Sequence, residues 1–254
     1  MHKAILETED LSFSYHDGRP VLDGVSISIL HGESVGVIGP NGAGKSTLLM
    51  HFNGILAGIG TVRVDGERID KATLAQVRRK VGWISQSSDD QLFMPTLLDD
   101  VAFGPLNMGL TEAEARRRAN EALGMVGMQH LADRPPHHLS GGEKKAAAIA
   151  TVLSMRPQVM LMDEPTNDLD HAARRALIDF LRQLSVTKVI ASHDLEMIID
   201  LCPRVILLDR GRVVADGPST EILGDEELLK GHRLEVPQSV HLRQERERGL
   251  RRGA

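Results

Sequence analysis

Residues 34–39, SVGVIG, form a short apolar run rich in β-branched side chains and closed by glycine, the pattern of a buried strand. From Gly44 to Ala57 the period changes. Leu48, Leu49, Phe52, Ile55 and Leu56 fall on one face and predict a helix. VGWISQ (81–86), VMLMDE (159–164) and KVIAS (188–192) predict further strands. RVILLDRGRVVADG (204–217) sets Arg-Gly between two β runs and predicts a hairpin. The N-terminal stretch and the 60–70 region (GTVRVDGERI) alternate with period two, as an antiparallel β portion would. Residues 111–127 predict an amphipathic helix opened by Thr111 with glutamates in its first turn, and 107–155 is nearly all helical pattern. Strands alternating with helices predict an α/β fold with a largely parallel sheet covered on both faces, carrying an inserted helical subdomain.

One boundary has two readings. LSGGEKKAAAIA (139–150) sets two glycines directly before a run of strong helix formers. Ser140 can cap that helix. The exposed N–H groups at such a helix start also suit a phosphate.

Composition narrows the partners. A net charge of −5 argues against a nucleic-acid binder, which usually shows a basic face. The single cysteine, Cys202, excludes a disulfide framework, fits a reducing compartment and is expected in the interior. No apolar run approaches the roughly 20 residues needed to span a bilayer, and the N-terminus lacks a signal peptide's apolar centre. The expectation is a soluble cytoplasmic protein, held at a membrane only through partners. VPQSVHLRQERERGLRRGA (236–254) is arginine-rich with few apolar residues and is expected to be a solvated or frayed tail.

Gly39-Pro40-Asn41-Gly42-Ala43-Gly44-Lys45-Ser46-Thr47 fits GxxxxGK[ST] between an expected strand and an expected helix. The order has a physical basis. Glycines let backbone N–H groups wrap around phosphate oxygens, and the helix start adds partial positive charge. Lys45 reaches the β/γ-phosphates and Ser46 contacts Mg²⁺. Downstream, Val159 to Met162 deliver Asp163 and Glu164 to a strand's C-terminal end, where open parallel sheets place their ligands. Asp163 would help hold Mg²⁺, and Glu164 is placed to polarise an attacking water as general base.

Gly39–Thr47, Leu139–Glu143, Val159–Glu164, Asn167–Asp170 and His193 together resemble the ordered motif set of ATP-binding cassette (ABC) ATPases. The resemblance spans most of residues 1–225. It implies a P-loop NTPase (RecA-like) core with an antiparallel β portion and a helical subdomain at about 87–157, the cassette filling 1–235 and the tail 236–254. It implies ATP and Mg²⁺ as ligands. In that family Ser140, Gly141 and Gly142, with Glu143 where glutamine is usual, form the signature loop that contacts the γ-phosphate held by the other subunit, so ATP joins a dimer. Tyr15 resembles the aromatic that stacks on adenine. Gln86 resembles the residue that touches Mg²⁺ or the attacking water and senses the membrane partner. His193 resembles the switch histidine at the γ-phosphate, and Asp170 belongs to the loop that links the two ATP sites. Ala146 and Ala147 depart from the arginine and valine frequent there, removing a charge near the expected dimer face.

SQSSDDQLFMPTLLDDVAFGPLNMGLT (85–111) and STLLMHFNG (46–54) are similar to energy-coupling-factor ATPases of the cobalt/nickel type, which work with transmembrane proteins to import metal ions or vitamins. Asp89, Asp90 and Gln91 then resemble a docking surface for the membrane partner. This implies a homodimer, or a heterodimer with a second ATPase, on the inner face of the cell membrane, importing cobalt first, nickel next, or a vitamin. The rival is a non-transport ABC protein acting on ribosomes or DNA. Translation-type relatives carry two cassettes per chain, and DNA-repair types separate the two loops by long coiled coils. Here one cassette sets Lys45 and Ser140 only 95 residues apart.

Overall fold

The computed structural model describes residues 3–15 and 18–242. In chain order they form β1 (Ala4–Ser14), β2 (Pro20–Leu30), β3 (Ser34–Ile38), α1 (Lys45–Phe52), β4 (Ile59–Val64), β5 (Glu67–Arg68), α2 (Leu74–Lys80) and β6 (Val81–Ile84). There follow α3 (Leu97–Asn107), α4 (Glu112–Met125), two short 3₁₀ turns, α5 (Gly141–Leu153), β7 (Val159–Asp163), α6 (His171–Gln183), β8 (Thr187–Ala191) and α7 (Leu195–Leu201). The hairpin β9 (Arg204–Asp209) and β10 (Arg212–Pro218) and two short helices, α8 (Ser219–Ile222) and α9 (Glu226–Gly231), complete them. The chain divides into two compact units, one made of the residues up to Arg68 with those from Val189, the other of Ile69–Lys188.

In the first unit an antiparallel sheet runs in the order β2-β1-β4-β5. Val25, Ile27 and Ile29 of β2 are buried while Ser26 and Ser28 face outward, the alternation of a sheet packed on one side. β3 pairs parallel with β9, which pairs antiparallel with β10. The β9–β10 turn is Arg210-Gly211, both at positive φ (48° and 75°), as a two-residue type I′ turn requires.

Helix α1 is shorter than the periodicity predicts, ending at Phe52 rather than Ala57. Gly54 takes φ +67°. Its N–H donates to His51 O (3.1 Å) while the Ile55 N–H donates to Met50 O (3.0 Å), the paired bonds of a Schellman stop. Ile55, expected on the apolar face, is half exposed beyond that stop.

In the second unit β6 pairs parallel with β7, and α3, α4 and α5 pack together. Leu97, Val101, Ala115, Ala119, Leu123, Ala147 and Ala150 share this helical core. The small side chains on α4 and α5 let the helices approach closely. Ala147 is fully buried, so this departure from the family pattern is a packing choice and not a surface change. Cys202 is buried in the first unit, as expected.

Residues 238–242 are helical, bury Val240 and tie the Ser239 N–H to Glu196 Oε1 (3.1 Å). The described start of the expected tail therefore packs instead of fraying, and the arginine-rich stretch beyond 242 lies outside the described residues. Among the described residues, no helix is long and apolar enough to cross a membrane.

Candidate nucleotide site

In the first unit, buried β3 delivers the chain to Gly39-Pro40-Asn41-Gly42-Ala43-Gly44, whose end is the start of α1. Gly39 sits at φ +147°, and a Cβ there would lie 1.9 Å from Leu208 O, so only glycine fits. Gly44, at φ +103°, is the N-cap of α1, and no side chain caps that helix start. A helix start capped by glycine leaves its first backbone N–H groups accessible to an anion in place of a capping side chain. The Lys45 ammonium folds back and donates to Gly39 O (2.8 Å) and Pro40 O (3.2 Å), at the start of its own loop. Ser46 and Thr47 continue the helix.

Tyr15 comes to this loop. Its hydroxyl lies 3.2 Å from Thr47 Oγ1, while the ring is about half exposed. Phe13 holds the Tyr15 ring edge-on at 5.0 Å, and His51 in turn packs edge-on against Phe13 at 4.9 Å. His51 Nδ1 meets Thr47 O at 2.7 Å. Burial pushes the His51 pKa down, the backbone contact to Thr47 opposing it. The sequence points to Tyr15 alone, because an isolated histidine and an isolated phenylalanine carry no positional signal of the Phe13–His51 support. His193 follows β8, and the Ser192 N–H donates to Val37 O (3.2 Å), fixing the end of β8 beside the strand that feeds the loop.

In the second unit every residue of β7 is buried, and it ends at Asp163, 4% exposed. Glu164 follows at 8% exposure with φ +46°, a left-handed backbone that glutamate rarely adopts. Such strain in a buried acid points to a functional constraint. Gln86 lies beyond β6 and is exposed. Ser46 in the first unit, and Gln86 and Asp163 in the second, each carry a hard oxygen donor (hydroxyl, amide and carboxylate) of the kind Mg²⁺ takes.

Ser140 does cap α5. Its hydroxyl accepts from the Glu143 N–H (3.4 Å), while Glu143 Oε2 accepts from the Ser140 N–H (2.7 Å) and hydroxyl (2.8 Å). These bonds hold the Glu143 carboxyl below its usual range, the Ser140 N–H contributing most. This capping contribution is therefore complete above the ordinary carboxylate range and fades as pH falls through the lowered value. Both readings of the boundary remain compatible: Ser140 is the cap, and Gly141 and Gly142 leave the helix start bare of side chains. The loop lines a cavity of about 650 Å³ together with Lys145, Asp168 and Asp170. Asp170 accepts from the Ala173 N–H (2.8 Å) as the N-cap of α6.

Asp89 and Asp90 are exposed, but Asp89 is not a bare turn residue: its carboxylate meets Lys144 Nζ at 2.6 Å. Gln91 departs from expectation. Its amide turns inward, accepting from the Ser85 N–H (3.2 Å) and donating to Trp83 O (3.1 Å) and Thr151 Oγ1 (3.2 Å). An amide committed to internal bonds cannot serve as an outward docking group, and Gln91 instead shapes the loop.

A family model described as "ABC transporter" matches residues 22–167. The chain belongs to the ABC transporter ATP-binding family. It is an ABC ATPase, with the ATP binding and hydrolysis general to that family. The cassette is 54% identical to a putative ABC transporter ATP-binding protein of Geobacter sulfurreducens, covering 94% of this chain and 97% of the relative. It is 48% identical to the energy-coupling factor transporter ATP-binding protein EcfA of Methanothermobacter thermautotrophicus, over 94% of this chain and 78% of that protein. The cassette also superimposes on CbiO1 of Clostridium perfringens, described as part of the ABC transporter complex CbiONQ. That match has a TM-score of 0.80 and 37% identity, covering 95% of this chain and 99% of the other. A dimeric ATP-binding cassette in a post-hydrolysis state with ADP and phosphate matches at TM-score 0.76 and 28% identity, over 84% and 98% of the two chains.

Proposed function

We propose that this cassette powers an importer of the energy-coupling-factor type, taking up a transition-metal ion or a vitamin through transmembrane partners, with cobalt the first cargo to test and nickel the next. The observation that carries the reading is the near-complete coverage shared with CbiO1, a component of a transporter complex, together with the similarity to EcfA. Deleting the reading frame and measuring uptake of radiolabelled cobalt, nickel and biotin tests it; unchanged uptake of every transition metal and vitamin tried would overturn it. We read 1–235 as the cassette, with 87–157 as its helical subdomain, working on the cytoplasmic face of the membrane.

Two copies sandwich two ATP molecules. Tyr15 stacks on adenine, and the 39–47 loop wraps the phosphates with Lys45 on the β/γ oxygens. Ser46, Gln86 and Asp163 would hold Mg²⁺, which would supply charge neutralisation at the phosphates. Glu164 takes a proton from the attacking water, and His193 donates to the γ-phosphate. Ser140 of the partner subunit, with the bare helix start behind it, closes on the same phosphate, and Asp170 relays the state of one site to the other. The dimeric cassette with ADP and phosphate supports this assembly.

Lys45→Ala is expected to lose ATP binding itself. With ligand at about 100 times the dissociation constant, binding stabilises the wild type by about 2.7 kcal/mol. Differential scanning fluorimetry with and without ATP should show that shift in wild type and its near absence in the variant. An undiminished shift would remove Lys45 from the phosphates.

Asp89 and Asp90 are proposed to receive arginines of the membrane partner, beside a patch where Phe93 and Phe103 meet edge to face and remain exposed. The Asp89 end of its pair with Lys144 is largely exposed, and such surface pairs contribute about 0–1 kcal/mol, so the fold tolerates its loss. Asp89→Ala/Asp90→Ala is expected to keep the isolated ATPase rate within about threefold while reducing co-purification with the partner and uptake, because losing one side of a buried charged pair costs about 2–5 kcal/mol. Normal uptake would return the acids to an ordinary turn.

A further inference from the structure

Lys145 is 3% exposed, although a lysine five residues into a surface-reaching helix would ordinarily extend into water. Its ammonium donates to Gln86 O (2.8 Å) and Ser85 O (3.3 Å), and its charge faces Asp168 and Asp163. Burial lowers its pKa, and the Asp168 and Asp163 carboxylates oppose that. Two further bonds join the same segments. Lys144 holds Asp89, and Gln91 links Ser85 and Trp83 to Thr151 one and a half turns along α5.

We propose that Lys145 is a positioning residue that fixes the backbone at Gln86 to the helix opened by Ser140, so that the two nucleotide-facing groups of this unit move together. The argument is one of reach and cost. Gln86 has an exposed side chain on a loop, and a loop residue holds a reacting geometry only if its backbone is pinned. Two carbonyls held by one buried ammonium pin it at the residue itself and at its neighbour. Breaking those bonds leaves the buried Lys145 ammonium unsatisfied, so the loop and α5 separate only at a cost. Engagement of Gln86 at one nucleotide then carries Ser140 toward the nucleotide of the partner subunit. This rests on the reading of Gln86 given above.

The test compares Lys145→Met, Lys145→Gln and Gln86→Ala in the full chain by steady-state ATPase kinetics, with the ATP-induced thermal shift as the binding readout. Lys145→Met removes every donor and the charge at similar length. It is expected to lower kcat by about 10- to 100-fold, the effect of a misplacement near 1 Å, with KM and the thermal shift within about twofold of wild type. Lys145→Gln keeps an amide donor and is expected to fall between the two. A merely structural role would instead lower binding and turnover together, in proportion to folded protein. Wild-type kcat in Lys145→Met, or Lys145→Gln as slow as Lys145→Met, overturns the tether. Should Lys145→Met not fold, Lys145→Gln decides alone: a reduced kcat at unchanged KM supports the proposal and wild-type kcat ends it. Gln86→Ala separates the two claims. If it alone turns over normally, the reading of Gln86 fails; if it is slow while Lys145→Met is normal, only the tether fails.

Discussion

Glu164→Gln is expected to bind ATP as the wild type does and to hydrolyse it about 10²–10⁴-fold more slowly, the usual contribution of a positioned general base. The expectation stands on where the residue is held. A fully buried strand delivers the chain to Asp163, and Glu164 then takes a left-handed backbone at 8% exposure. A carboxyl group kept in a costly conformation, and mostly away from water, fits the proton abstraction proposed for it. Glutamine preserves the size and hydrogen-bonding reach of the side chain while removing its basicity, so the loop from Glu164 to Asp170 should keep its form. Because binding continues and hydrolysis stalls, the variant should accumulate as an ATP-bound dimer. Gel filtration in ATP and Mg²⁺ reads the dimer and phosphate release reads the rate. A variant that remains monomeric, or that turns over at the wild-type rate, would remove Glu164 from the base position.

Local chemistry made much of this legible in the sequence. The glycines at 39, 42 and 44 all take positive φ, and at Gly39 the backbone of Leu208 leaves no room for a side chain. The Arg210-Gly211 turn and the buried strands at 34–38 and 159–163 follow from short-range rules in the same way. Most of what the sequence leaves hidden depends on contacts distant along the chain, with one local exception. The stop of α1 at Asn53-Gly54 was written in the glycine but outweighed by the apolar period running past it. Gln91 read as part of a polar turn because its partners, Trp83 and Thr151, are 8 and 60 residues away. Lys145 read as one more helix former. Its signal was its place at i relative to Ala148 and Ile149 at i+3 and i+4, both buried, which puts an ammonium on the apolar face of α5. Phe13 and His51 gave no such signal, since their link to Tyr15 arises only when β1 lies against α1.

Ser140→Arg is expected to abolish hydrolysis in a pure preparation and to regain it when mixed with Lys45→Ala, which is inactive by itself. The capping box complicates a simple substitution. Ser140 exchanges hydrogen bonds with Glu143, and losing an N-cap costs about 0.5–2 kcal/mol. Ser140→Ala is therefore the control, since it loses the same cap without adding bulk. If capping were all that Ser140 does, the arginine and alanine variants would be equally active. If its face closes on a phosphate held by the other subunit, arginine blocks that approach and alanine only weakens it. The mixture then distinguishes sites within one chain from sites between chains. In a two-fold dimer of the two variants, one site combines the intact lysine loop of the first chain with the intact signature loop of the second, and the other site combines both lesions. With equal mixing, half the dimers are mixed and each holds one sound site, so independent sites would give about a quarter of the wild-type rate. Recovery therefore requires loops supplied by two different chains, whereas no recovery from two inactive parents would mean either that each site is built within one chain or that both sites must fire together. Full activity of Ser140→Arg on its own would place the phosphate elsewhere and leave the serine as a helix cap.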